Sequence, residues 1–199
     1  MDIGASVGLI SMGLAPHIKA LNGRILAYEP HAGNRNMLLK SIAQNGFSYM
    51  MDVFPFALGS RSGYVSLMIS EATADIGNAV IVGEVSAETD EKSDSKMITL
   101  DEHVLDIGLD RLDCIKIDVE GFELEVLIGA RRALQRFRPI IFCEFNTEFM
   151  RCRGVDLDAA WALLSSMSYD LQQYGEGEWK QVFSRPEQKS WDLKMVPAS

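Results

Sequence analysis

The chain is short of the features that would tie it to a membrane, to nucleic acid or to a disulfide scaffold. No apolar run approaches the roughly 18 residues that a bilayer-spanning helix needs. Positive charge is scarce, with 19 Lys and Arg against 28 Asp and Glu, for a formal net charge of −9. The acidic residues are spread along the chain, and such a surface repels phosphate backbones, which argues against nucleic acid as a partner. Three cysteines, Cys114, Cys143 and Cys152, cannot all pair with one another, and two of them lie in apparent core strands. Reduced thiols in a cytoplasmic protein are the simplest account. The three histidines, His17, His31 and His103, show no metal-ligand spacing, so no metal site is expected on them. There is no Gly-x-Ser-x-Gly elbow and no suggested cysteine–histidine pair. Residues 1–20 are not read as a secretory signal, because Asp2 stands where a basic region should be and glycines interrupt the apolar stretch.

What is present is 199 residues, 47% of them hydrophobic, enough to bury a substantial core. Strand-like and helix-like segments alternate, which favours an α/β fold with a mostly parallel sheet and helices on both faces. Val7, Ile10, Leu14 and Ile18 fall at helical spacing after a glycine-rich turn, predicting a helix over 6–20 with that stripe inward. A short apolar strand over 24–29 ends at Glu29-Pro30. A helix over 34–45 is expected to stop at Asn45-Gly46. Strands are predicted over 53–58, 64–69, 114–118 and 140–145. Asp101 is placed to cap the helical segment after it. One helix is expected over 122–137 and another over 157–167. An antiparallel pair over 170–174 and 180–183 closes the fold. Residues 86–96 (SAETDEKSDSK) are too polar to pack and read as a mobile surface loop. One domain over 1–185 and an irregular tail over 186–199 complete the expectation.

Three stretches carry chemistry. Asp2-Ile3-Gly4-Ala5-Ser6-Val7-Gly8 is a strand end running into a helix, where glycines let the backbone approach a ligand and the helix N-terminus offers N–H groups. Ser6 and Leu9 stand where a dinucleotide fingerprint wants glycine. The spacing suits better the Asp/Glu-x-Gly-x-x-x-Gly turn used for S-adenosylmethionine. Glu29 ends the second strand about 20 residues later, where an acid commonly holds ribose hydroxyls. Third, Ile115-Lys116-Ile117 runs straight into Asp118-Val119-Glu120-Gly121. Carboxylates beyond a strand's carboxyl end lie where open α/β sheets bind ligands. Asp118 and Glu120 could act as a general base, orient a substrate or bind a metal, and Glu120 could instead favour the next helix through its dipole. Glu144 ends the following strand, where a role in the same cleft and a structural role are both open. Glu123 and Glu125 read as solvated. His31 is at best near a cofactor rim, and Asn78 sits in a segment that could cover an acceptor pocket.

These residues resemble the FkbM-like methyltransferases, a family of class I S-adenosylmethionine-dependent enzymes. The matching pieces are Asp2 through Gly8, Tyr28-Glu29-Pro30, Ala57-Leu58-Gly59-Ser60, Thr99-Leu100-Asp101, and Ile115 through Glu123. Leu127-Ile128-Gly129-Ala130 and Pro139 through Glu144 continue the match. The resemblance implies a Rossmann-like, doubly wound sheet of about seven strands with an antiparallel last strand. It implies methyl transfer to a hydroxyl of a sugar or other small natural product, with S-adenosylmethionine as cofactor. Asp2, Gly4, Ala5, Ser6, Gly8, Glu29, Pro30, Ala57 and Asp118 would then form the cofactor site. Gly4, Ala5 and Gly8 would hold its methionine part and Glu29 its ribose. Asp118 and Glu120 would lie towards the methyl group and the acceptor, with Glu144 a third catalytic candidate. Family members carry an apolar strand before the glycine turn, whereas this chain begins at Met1-Asp2, so a truncated first strand is expected. Two other readings compete: a nicotinamide-dependent oxidoreductase, which the glycine spacing disfavours, and a truncated, non-catalytic module of the same architecture.

Overall fold

The computed structural model describes residues 1–69, 79–85 and 94–198. They form two compact units, Met1–Thr99 and Leu100–Ser199, each built on its own strands. Asn78 and residues 86–93 of the expected polar loop lie outside the described residues.

The first unit begins with β1 (Asp2–Ile3) and passes through α1 (Leu9–Ala20) to β2 (Ile25–Tyr28), then through α2 (Ala32–Gln44) to β3 (Met51–Phe54). The three strands are parallel, with Asp2 opposite Ala27 and Ile25 opposite Met51. Parallel strands covered on both faces read as unbroken apolar runs, as Ile25-Leu26-Ala27-Tyr28 does. Ala15, Ile25, Ala27, Leu38, Ile42 and Met51 form the core of this layer. Asn45-Gly46 ends α2 as expected, with Gly46 in the left-handed region (φ 70°).

Helix α1 departs from its expected stripe. It buries Ser11 and Ala15 and leaves Leu9, Ile10 and Leu14 exposed. The Ser11 hydroxyl donates to the buried Asp2 carboxylate at 2.5 Å, so a polar bond fixes which side of α1 faces the strands. The expected strand over 53–58 is also two elements. Pro55 has no N–H to offer a ladder, and beyond it β4 (Ala57–Leu58) joins a second sheet with β5 (Gly63–Ile69), β6 (Ala79–Val85) and β7 (Asp94–Ile98). The order there is β4-β7-β5-β6, and residues 94–96 of the expected loop belong to β7.

The second unit runs α3 (Leu100–Asp106), β8 (Cys114–Ile117), α4 (Glu123–Gly129), α5 (Arg131–Phe137), β9 (Ile140–Asn146), α6 (Thr147–Cys152) and α7 (Leu157–Ser166). It closes with β10 (Tyr169–Gly175), β11 (Glu178–Gln181) and β12 (Ser190–Pro197). Its strands are ordered β11-β10-β12-β9-β8. Strands β8 and β9 are parallel, whereas β12 is antiparallel to both β9 and β10, and β10 and β11 form the expected antiparallel pair.

Four expectations need correcting in this unit. The tail over 186–199 is not irregular: β12 occupies an interior position, and alternate residues Trp191, Leu193 and Met195 are fully buried. Beside the expected antiparallel pair, β12 adds a third strand with antiparallel neighbours. The helix over 122–137 is interrupted at Ala130. Asp101 lies inside α3, and its carboxylate accepts the backbone N–H groups of Arg132 (3.0 Å) and Ala133 (2.7 Å), capping α5 from a neighbouring helix. Cys114 is exposed at the start of β8, whereas Cys143 is buried in β9.

Candidate functional site

In the first unit the glycine turn and the end of β2 are tied together by one carboxylate. The N–H groups of Gly4 and Ala5 both donate to the Tyr28 carbonyl, at 3.1 and 3.0 Å. The chain then turns through Ser6 (φ 50°) and reaches Gly8 (φ 93°), the residue before α1. A Cβ on Gly8 would drive into the Leu38 side chain, so this tight approach needs glycine. Glu29 is buried, 4% exposed, and both of its oxygens are engaged. One accepts the Ser6 N–H at 2.7 Å and the other the His31 N–H at 2.8 Å. Burial raises its pKa, and the bonds from His31 and Ser6 pull it back down, assisted by the charges of His31 and Arg35. Arg35 clasps the carbonyls of Glu29 and Pro30, at 3.0 and 2.9 Å.

Each carboxylate oxygen has a second acceptor direction beyond its backbone bond. The anion is therefore held in place and can still accept hydroxyl donors. The Glu29 carboxylate, clamped by the glycine turn at one oxygen and by His31 at the other, fits a nucleoside-type cofactor. Asp2 braces α1 through Ser11. Ala57 is buried in β4, in the smaller sheet rather than in the β1–β3 layer. The His31 ring is the N-cap of α2, accepting the Asn34 N–H at 3.3 Å.

In the second unit the expected acceptor-side carboxylates do gather. Asp118 follows β8 and pairs with Lys116 at 3.3 Å. Glu120, in the left-handed region (φ 52°), accepts a bond from the Asn146 amide at 3.0 Å. Its pKa is raised by burial first, then by the Asp118 charge, while Asn146 and Lys116 lower it. Glu144 on β9 is likewise raised, by burial and then by the charges of Asp118, Asp192 and Glu120. A cavity of about 310 Å³ opens here, bordered by Lys116, Asp118, Glu144 and Asp192 and by the aromatic rings of Phe142, Tyr174 and Trp179. Trp179 packs edge-on to Phe142 (5.7 Å between centroids) and tilted against Tyr174 (5.3 Å).

Sequence reasoning missed Glu123. It is wholly buried (0% exposed) rather than solvated, and its Oε1 accepts the Gly121 N–H at 2.8 Å and the Val119 N–H at 3.4 Å. Burial pushes its carboxyl up to about 7, with the Asp118 charge adding to the rise and the backbone bonds opposing it. The signal was available: Glu123 shares a helical stripe with Val126, Leu127 and Ala130, all buried. Asn146, the partner of Glu120, had no such signal.

The FkbM methyltransferase domain model matches residues 2–171, spanning both units. The chain belongs to the FkbM methyltransferase family. Methyltransferase sdnD of Sordaria araneosa is 30% identical over 157 residues, which is 65% of this chain and 59% of sdnD. The chain spans only 8% of another curated relative, the AMB antimetabolite synthetase AmbE of Pseudomonas aeruginosa, at 24% identity over 71% of this chain. Among solved structures, methyltransferase FkbM from Methylobacillus flagellatus KT shares the fold with a TM-score of 0.56 and 21% identity, over 98% of this chain and 42% of that one. The O-methyltransferase from Bacillus cereus, solved in complex with SAH, shares it with a TM-score of 0.52 and 12% identity, over 98% and 72%. The fold class is thus the α/β, Rossmann-like one of these methyltransferases. No helix among the described residues is long and apolar enough to cross a membrane.

Proposed function

We propose that the chain is a methyltransferase domain that transfers a methyl group from S-adenosylmethionine to a hydroxyl of a sugar or other small natural product. The observation that carries the acceptor reading is the cavity where the rings of Phe142, Tyr174 and Trp179 stand beside the carboxylates of Asp118 and Glu144. Aromatic faces pack against the apolar side of a small ring, while carboxylates accept bonds from its hydroxyls. The net charge of −9 supports a small-molecule acceptor over nucleic acid. Three free cysteines support a reducing, cytoplasmic setting.

In this reading Glu29 holds the ribose hydroxyls and the turn from Gly4 to Gly8 accommodates the methionine part, with Ser6, Pro30 and Ala57 at its margin. S-adenosylmethionine, when bound, would supply an electrophilic methyl group carried on its sulfonium. Asp118 would take the proton of the acceptor's hydroxyl, leaving the acceptor oxygen as the nucleophile. Glu120 and Glu144 orient the acceptor by hydrogen bonding. Positioning is the main contribution of such a site.

Calorimetric titration tests the cofactor half. Saturable S-adenosylmethionine binding, with none for NAD, supports the reading, and a folded chain that binds NAD instead would replace it with an oxidoreductase. Turnover tests the base: Asp118→Asn should bind the cofactor normally and lose methyl transfer, and full turnover by that variant would remove Asp118 from the role.

A further inference from the structure

Between β8 and α4 the chain reverses in five residues, and two consecutive residues, Glu120 (φ 52°) and Gly121 (φ 90°), adopt left-handed backbone. A non-glycine residue persists there only where its surroundings over-determine it. Two of the constraints come from the last residue of β9 and from α6. The Asn146 amide holds the Glu120 carboxylate. Phe149 closes over Gly121 so tightly that an added Cβ would meet the Phe149 Cβ at 2.6 Å and the Met150 nitrogen at 3.1 Å. The third constraint is Glu123, which accepts both the Gly121 and Val119 N–H groups on one oxygen. Its other oxygen, Oε2, meets no hydrogen-bond partner among the described residues. A carboxyl buried in this way is an expensive means of ending a loop, and the proposed transfer step makes no use of it.

We propose that Glu123 is the positioning residue of this site: through the N–H groups of Val119 and Gly121 it sets the direction in which Asp118 and Glu120 face. Its importance for turnover rests on the methyl-transfer reading, whereas its action on the loop does not. The groups that face it are Asp118 from the loop after β8 and the buried Cys143 thiol on β9, whose own pKa is raised by burial and then by the Glu123 charge. Ionisation of Glu123 strengthens its hold on the Gly121 N–H, because a charged acceptor makes the stronger bond. The loop is thereby coupled to pH in the neutral range.

Amide NMR of the full chain between pH 5.5 and 8.5 tests this directly. The Gly121 N–H resonance should titrate in the wild type and stay flat in Glu123→Gln. In Asp118→Asn its midpoint should fall, because a like charge has been removed. Hydrogen exchange over residues 118–122 should accelerate about tenfold or more in Glu123→Ala and return to within about twofold of the wild type in Glu123→Gln, whose amide oxygen still accepts. A static Gly121 resonance in the wild type, unchanged exchange in Glu123→Ala, or a Glu123→Gln variant no better than Glu123→Ala would overturn the proposal. Failure of the wild type to bind S-adenosylmethionine would instead remove the methyltransferase reading, and the amide titration would still decide the role of Glu123.

Discussion

Two buried glutamates do the same local job in the two units and are left in different chemical states. Glu29 and Glu123 each accept two backbone N–H groups and each pins a turn that contains left-handed residues. Glu29 spreads those bonds over both oxygens and has the charges of His31 and Arg35 beside it. Glu123 takes both bonds on one oxygen, leaves the other bare, and faces the like charge of Asp118. Burial is near complete in both, so it does not make the difference. How many oxygens are served, and the sign of the neighbouring charge, do. The first arrangement makes a carboxyl clamped at both oxygens and suited to holding a ligand, and the second leaves a carboxyl oxygen bare beside a like charge.

The comparison can be broken most sharply with pH. Glu123 binds its proton more tightly folded, at about 7, than unfolded, at 4.5. Between those values the native state therefore carries more protons than the unfolded chain, so stability falls as pH rises through the window. The size of this loss is about 3 kcal/mol. Glu123→Gln should be stabler than the wild type at pH 8, and the gap should close towards pH 5, as read from urea midpoints. A constant gap across that range would mean that the carboxyl does not titrate there.

Next in size is the ligand side. Glu29→Ala removes two charge-assisted bonds to backbone along with the proposed ribose acceptor, and should weaken S-adenosylmethionine binding about 30-fold by calorimetry. Glu123→Ala should leave that affinity within about twofold, since its bonds serve the other unit. Equal losses in the two variants would erase the distinction. The smallest effect belongs to a third carboxylate of the same design. Asp101 also serves two backbone N–H groups, at the start of α5, and its side chain is 11% exposed. Asp101→Ala should cost about 1 kcal/mol of stability by urea midpoint, the usual worth of a helix cap.

Much of this was legible in residue order alone. The apolar run Ile25 through Tyr28, the run into Asp118 and the Asn45-Gly46 stop each declare a local structure with one physical meaning. What was missed depended on partners far away in sequence. Asp101 was assigned to the helix that follows it, whereas its oxygens reach residues 31 and 32 positions later. The stripe of α1 was turned by the Ser11–Asp2 bond, which periodicity of apolar residues cannot register. Glu123 was read by its charge rather than by its place on the Val126, Leu127 and Ala130 stripe. β12 was hidden for another reason. Its alternation of Trp191, Leu193 and Met195 with Asp192 and Lys194 is that of a half-buried strand, but the polar stretch before it drew the reading towards a tail. The gathering of Asp118, Glu120 and Glu144 was anticipated. The aromatic wall of Tyr174 and Trp179 was not, because it is supplied by strands placed beside them by β12.

That placement has a consequence for how the chain is made. Strand β12 lies between β9 and β10, yet it follows β11 in sequence. A ribosome therefore delivers both of its neighbours before it delivers the strand that joins them. Until residues 190–197 emerge, β9 presents an open edge, and the rings of Tyr174 and Trp179 have no strand joining them to Phe142 and Glu144 on β9. A chain without residues 190–197 would hold Asp118, Glu120 and Glu144, lose Asp192, and still lack a pocket.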